Sequence, residues 1–182
     1  MEFLSQKAAQ LLVENIYCSL GTSSLDGCPW ISPVYYSINE KVNIFWASSV
    51  NSKHSLLLVE NPRAFISIYD SASPPRQANG LYLSGFAQEI IDSSINDIVI
   101  RHFDRVNEQS NFTGKDFSAN APEHIYRFNP DKIWILDHPK IVQGHPIDQK
   151  IEVPIIDLQQ KLATISETQS NKCFQPTDFG SS

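Results

Sequence analysis

The chain has 182 residues, 41% apolar and 19% charged, which suits one globular domain with a real core and excludes a disordered or fibrous chain. A net charge of −6 offers no global basic field for nucleic acid or an anionic membrane, and no apolar run approaches the roughly 20 residues that span a bilayer. Cys18, Cys28 and Cys173 show no CxxC or other metal spacing and are odd in number, which predicts reduced thiols and a cytoplasmic location.

Phe3, Leu4, Ala8, Leu11, Leu12 and Ile16 recur at helical spacing, so an amphipathic helix opens the chain. That stretch lacks the basic start and continuous apolar run of a signal peptide. Cys18 and Leu20 then alternate with Tyr17 and Ser19, the period of a strand. Asp26-Gly27 is a hairpin signal because glycine takes positive φ without steric cost, so residues 17–24 and 30–38 pair antiparallel. Asn39-Glu40 turns the chain into a third strand with Val42, Ile44 and Trp46 on one face. A short helix over 52–60 is stopped by Pro62. Strands over 63–70 and 80–90 follow, joined by the loop SASPPRQAN.

Ser94 begins the next helix, and Asp97 three residues on completes an approximate capping box. Ile95, Ile98, Val99, His102 and Val106 share one face of it. HIYRFNPDKIWILDH, residues 124–138, reads as two short strands around an Asn-Pro-Asp turn. Beyond 138 the signal weakens to four prolines and one modest apolar patch at 151–158. Asn-Phe-Thr at 111–113 fits a glycosylation acceptor, a reading set aside without a secretion signal. Several short strands with a few helices predict a small β-barrel with helices packed outside it.

Two segments carry chemistry. In WASSVNSKHSLLLVENP, residues 46–62, Lys53 sits at the start of a helix, where the macrodipole disfavours a cation. The placement makes sense for an anion: a phosphate would meet unpaired N–H groups, the hydroxyls of Ser48, Ser49 or Ser52, and the Lys53 charge. The plain alternative is a solvated lysine behind a serine cap. In WISPVYYSI, residues 30–38, Pro33 interrupts a strand and implies an edge or irregular segment with free backbone groups. Those groups could border a flat heteroaromatic ligand, or simply belong to an edge blunted by proline.

Together these segments resemble the FMN-binding split barrel of the pyridoxamine 5′-phosphate oxidase-like superfamily. The ordered set is LDGCP at 25–29, SPVYY at 32–36, FWASSVNSKHSLLLVENPRAFISI at 45–68 and LYLSGFAQEI at 81–90. The agreement runs over roughly residues 8–137. The resemblance implies a mainly β, α+β fold: a six-stranded antiparallel Greek-key split β-barrel with peripheral helices. It places the FMN-binding barrel in residues 1–140 and a C-terminal extension in 141–182, packing on the same domain or on a dimer partner. By position, Lys53 and Ser52 match contacts to the FMN phosphate. Trp46 and Ala47 match the strand end along the ribityl chain and flavin. Ser32, Pro33, Val34 and Tyr35 match the segment bordering the ring. Gly80 falls where flavin-binding members often carry glutamine, and Ser52 where the vitamin-forming enzymes carry arginine. Arg76 is the candidate to replace that charge. Two chains pair in this family with each flavin at their seam, so a homodimer is expected. Trp134 and Arg127 are candidates from the second chain, with core packing the alternative for Trp134.

The resemblance thus implies an FMN-dependent oxidoreductase acting on a small molecule. The vitamin-forming oxidases end in a basic, Trp- and Arg-rich strand. Residues 159–182 hold neither arginine nor tryptophan, so pyridoxamine phosphate is not the expected substrate. Three alternatives stay open: a non-catalytic flavin- or haem-binding, stress-related module, a reductase using F420, and a flavin-free dimer. Among the histidines, His138 and His145 flank a Pro- and Gly-containing loop and are the possible haem or metal ligands. His54 is near the phosphate position, and His102 reads as a core or interface residue. No catalytic acid or base is assigned, and no GxSxG, GxGxxG or P-loop occurs.

Overall fold

A computed structural model describes residues 1–74, 79–91, 94–105, 111–118 and 120–172, with side chains to 166. The opening helix α1 (Glu2–Glu14) buries Ala8, Ala9, Leu11 and Leu12. β1 (Tyr17–Ser23) and β2 (Pro29–Tyr35) form the expected hairpin, in register from Tyr17↔Tyr35 to Ser23↔Pro29. Gly27 turns it at φ +86°, a conformation open to glycine at little cost. The two-residue β3 (Ser37–Ile38) precedes β4 (Ile44–Ser49), α2 (Lys53–Glu60), β5 (Arg63–Tyr69) and β6 (Gly80–Glu89). Then come α3 (Ile95–Asp104), a 3₁₀ turn (Gly114–Phe117), β7 (Glu123–Val142), β8 (His145–Glu152) and α4 (Ile155–Lys172).

The strands run in the order β2-β1-β5-β6-β7-β4-β3, with β8 added to β7. Every pairing is antiparallel. The strand count among the described residues is therefore eight rather than six. β1, β2 and β4–β7 make the barrel, and β3 and β8 are additions to it. Among the described residues β2 pairs only with β1, so it is an edge strand, and Pro33 costs it no ladder bond toward the barrel gap. Inward side chains of β1, β4, β5, β6 and β7 form one core with α1, including Leu20, Ile44, Trp46, Ile66, Leu83 and Ile133. The opposite face of β4 and β7 gives Phe45 and Ile125 to a second cluster with Val99 of α3 and Phe117.

Three expectations need correction. First, Asn129-Pro130-Asp131 is not a turn: β7 runs straight through it, with a register shift opposite Ser84 and Gly85. A bulge absorbs the extra residue and tolerates a proline that lacks a donor. A Cβ on Gly85 would lie 2.2 Å from the Asn129 carbonyl oxygen, so only glycine permits this close approach. The Asp131 carboxylate accepts from Ser84 Oγ at 2.6 Å and pairs with Arg63. Second, Trp134 is not in the core. It lies half-buried on the outer face, opposite Tyr82 and stacked on Phe65 at 6.4 Å. Third, Ser94 has helical dihedrals and makes no side-chain capping bond. Val106 lies outside the described residues.

The weak signal beyond 138 hides regular structure. β7 and β8 continue as an exposed hairpin turned by Gly144 at φ +83°. Exposure on both faces is why no alternating pattern marks it. α4 then packs Leu158 and Leu162 into the same core as Ala8 and Leu12.

Candidate functional site

β2 and β4 approach one another without ladder bonds, and α2 begins where they do. Ser52 caps the helix: its extended backbone aims Oγ at the Ser55 N–H, 3.4 Å away. The first helical N–H groups, of Lys53 and His54, have no acceptor in the helix ladder. His54 turns inward because it shares a helical face with Leu57 and Leu58, which are buried.

His54 bridges the split. Nδ1 lies 3.0 Å from Ser32 Oγ on β2. Nε2 lies 2.7 Å from Ser48 Oγ on β4 and 3.0 Å from Ser52 Oγ. Ser52 also donates to Ser55 Oγ at 2.8 Å, and Ser55 bonds Tyr126. Trp30 Nε1 donates to Ser32 at 3.0 Å. Burial holds the His54 pKa below its ordinary value, so the ring is neutral, with one nitrogen donating and the other accepting. Burial likewise pushes the Tyr126 phenol up.

The structure brings Ser32, Ser52 and Lys53 to this corner and leaves other predicted residues elsewhere. Trp46 is fully buried, stacked on Tyr126 at 5.6 Å, with its Nε1 unpartnered. Val34 is also core, so both residues present only main chain to a ligand. Pro33 is exposed on β2, and Ala47 packs against the second cluster. Tyr35 is half-buried, its hydroxyl donating to the His102 carbonyl at 2.6 Å. Its neighbour Tyr36 points into the core, donating to Leu12 O at 2.9 Å. Gly80 starts β6 opposite Tyr69, at the far end of that strand from Glu89, whose ladder partner Tyr126 faces Trp46. That separation is about 30 Å of strand path, so one chain does not bring Gly80 to the corner. Arg76 lies outside the described residues. Arg127 faces a cavity under α3. His138 and His145 are exposed on the β7–β8 hairpin, and among the described residues no three metal-ligating side chains cluster.

The donor set fits the phosphate end of FMN in kind. Lys53 brings an ammonium and the helix start brings two N–H groups, while edge strand β2 carries backbone groups that its single partner leaves unpaired. The hydroxyls of Ser48 and Ser52 are already shared with His54. The role of His54 as a bridge was missed in the sequence, although its i, i+3, i+4 spacing to Leu57 and Leu58 is a readable sign of an inward side chain.

With this geometry, the chain has the fold of the pyridoxamine 5′-phosphate oxidase-like split barrels. No family model matches the sequence, and no curated protein matches it. The likeness is to solved structures. A heme binding protein from Mycobacterium smegmatis superposes with a TM-score of 0.62 at 18% identity, over 86% of this chain and 60% of that one. A Listeria innocua protein named as a candidate pyridoxamine 5′-phosphate oxidase gives 0.56 at 16% identity, over 72% and 97%. An F420 reductase gives 0.52 at 18% identity, over 68% and 94%. At these identities the fold is what is shared.

Proposed function

We propose that the chain binds FMN at the split of its barrel and acts as an oxidoreductase on a small substrate other than pyridoxamine phosphate. The observation that carries the reading is the start of α2, where Lys53, two unpaired N–H groups and Ser52 adjoin the proline-interrupted edge strand β2. Lys53 and the helix N–H groups would hold the phosphate. The main chain of residues 32–35 would border the ring, and that of residues 46–47 the ribityl chain. His54 holds β2 and β4 at the spacing this requires. Bound flavin supplies the two-electron chemistry, and the protein supplies position and electrostatics.

A second copy of the chain would complete the cleft. Phe65, Tyr69 and Phe86 are exposed on the outer face of β5 and β6, beside Tyr82 and Trp134. An aromatic patch of this kind is what a homodimer buries. Sedimentation as a dimer at micromolar concentration is expected, and a clean monomer counts against the shared site.

The likeness to a heme binding protein and to an F420 reductase supports a second reading, in which haem or F420 takes the same cleft. The visible spectrum of the purified protein, before and after FMN and a reduced nicotinamide are added, separates the two. Flavin bands that bleach on reduction support FMN, and a sharp Soret band supports haem. Lys53→Ala should weaken FMN binding by roughly 1.5–3 kcal/mol, the range for a charge-assisted hydrogen bond. Unchanged affinity in a fluorescence titration would remove Lys53 from the site.

A further inference from the structure

We propose that the chain has a second ligand site, under α3, where Lys41, Arg101 and Arg127 converge to hold a small phosphate-class dianion. A cavity of about 240 Å³ opens there, walled by Phe45 and Ile98 and bordered by Asp97. The three cations come from three separate elements: the turn before β4, α3 and β7. None of them forms an ion pair among the described residues. Arg127 Nε is buried with no hydrogen-bond partner. A buried guanidinium N–H left unpaired costs free energy in the absence of a ligand.

Charge identifies the ligand class. Among the described residues three cations against one carboxylate leave an excess of two positive charges around this cavity, within a chain whose net charge is −6. A dianion neutralises that excess, and guanidinium forks match phosphate oxygens in geometry as well as charge. Asp97 sits one turn before Arg101 on the same helix, yet the two are not paired. The turn that presents Lys41 is held firmly: the Lys41 and Asn43 N–H groups both donate to Asn39 Oδ1 at 3.0 Å. Val42 between them has φ +64° with its side chain fully buried, a strained state for a β-branched residue. The apolar wall of Phe45 and Ile98 leaves room for a short organic group on the phosphate.

This site is not the one at α2. Phe45 and Arg127 are ladder partners at the start of β4, on the face opposite Ser48. Lys53 follows the other end of that strand, about 13 Å further along.

The test is calorimetric titration of the full chain with inorganic phosphate and, separately, with glycerol 3-phosphate, in buffer free of other multivalent anions. Saturable binding is expected. Arg101→Gln should weaken it about tenfold, the equivalent of one charge-assisted contact, and Lys41→Gln by less. Both side chains are exposed, so circular dichroism should be unchanged, and neither test depends on Arg127→Gln folding. Lys140→Gln, on the exposed β7–β8 hairpin, should bind phosphate like the wild type. Tighter binding of the ester assigns the site to a phosphorylated metabolite, and equal or weaker binding assigns it to free phosphate. No heat at concentrations on the order of 10 mM overturns the proposal. So does wild-type affinity in Arg101→Gln, or an equal loss of binding in Lys140→Gln.

Discussion

At the C-terminal end of β4, the hydroxyls of Ser32, Ser48 and Ser52 and the His54 imidazole satisfy one another across the split. At its N-terminal end, Lys41, Arg101 and Arg127 form no ion pair among the described residues. Both regions are polar pockets beside one strand, but they make different demands. A neutral, mutually bonded cluster is stable with or without a ligand, because each buried group already has its partner. Unpaired like charges gathered in a cavity repel one another until an anion arrives. At the α2 corner, then, the serines and His54 already have partners, and under the proposed function ligand contact would fall to Lys53 and the backbone.

The largest expected effect tests whether the α2 corner rests on a packed core. Trp46→Ala removes a fully buried indole stacked on Tyr126 and should lower stability by about 3–5 kcal/mol, read from urea unfolding of the cofactor-free protein. A loss below about 1 kcal/mol together with collapsed FMN affinity would return Trp46 to the ligand face and undo the comparison. The next effect belongs to α3. His102 is buried with Nδ1 3.1 Å from Ser37 Oγ. Burial and the nearby Arg105 push its pKa down to about 4, from 6.5. Its folded pKa is the lower one, so below pH 6.5 the unfolded chain takes up a proton that the native chain refuses. Stability is therefore full above pH 6.5 and falls as pH drops toward 4, by roughly 3 kcal/mol at about 1.4 kcal/mol per unit. Urea midpoints between pH 7 and 4 should show this slope, and His102→Gln should remove most of it. A slope unchanged in that variant would place the acid sensitivity elsewhere.

Much of the barrel was legible because its faces differ. Cys18 and Leu20 of β1, and Ile44 and Trp46 of β4, alternate with exposed or second-cluster residues, so a period of two survives in the sequence. Pro33 was readable as an edge signal because a proline cannot donate inside a ladder. The β7–β8 hairpin was not legible: with both faces in solvent, no hydrophobic period is imposed on it. Pro130 misled for a related reason, since a proline in a bulge and one in a turn share a local sequence. The deciding residue, Gly85, lies 45 positions away. At the site, Lys53 and the serines were visible as helix-start chemistry, but the cavity under α3 was not. Its three cations are far apart in sequence, and only the fold brings them together.

The His54 bridge predicts a smaller change than Trp46. His54→Ala removes the bonds that join Ser32 of β2 to Ser48 of β4 and should cost about 1–3 kcal/mol in urea unfolding. It should weaken FMN less than Lys53→Ala does, because a structural bridge acts on the ligand only through strand spacing. A larger loss of FMN affinity in His54→Ala than in Lys53→Ala would make the imidazole a direct ligand contact.

The smallest expected effect concerns the charge that opposes Lys53. The Asp26 carboxyl sits below its usual range, mainly because the Ser24 hydroxyl and the Cys28 N–H bond to it, with Lys53 adding a lesser electrostatic contribution. Asp26 therefore partly answers the one described cation of the α2 corner, whereas under α3 three cations face one carboxylate among the described residues. Asp26→Asn should tighten FMN at low salt, by less than Lys53→Ala loosens it, since Asp26 is open to solvent and water screens exposed charges. The gain should shrink in 0.5 M salt, where screening acts over only a few ångströms. Phosphate binding under α3 should not change in the same variant. FMN affinity indifferent to Asp26→Asn at low salt would mean that the phosphate does not lie beside Lys53, and the start of α2 would then be a capped helix with a solvated lysine.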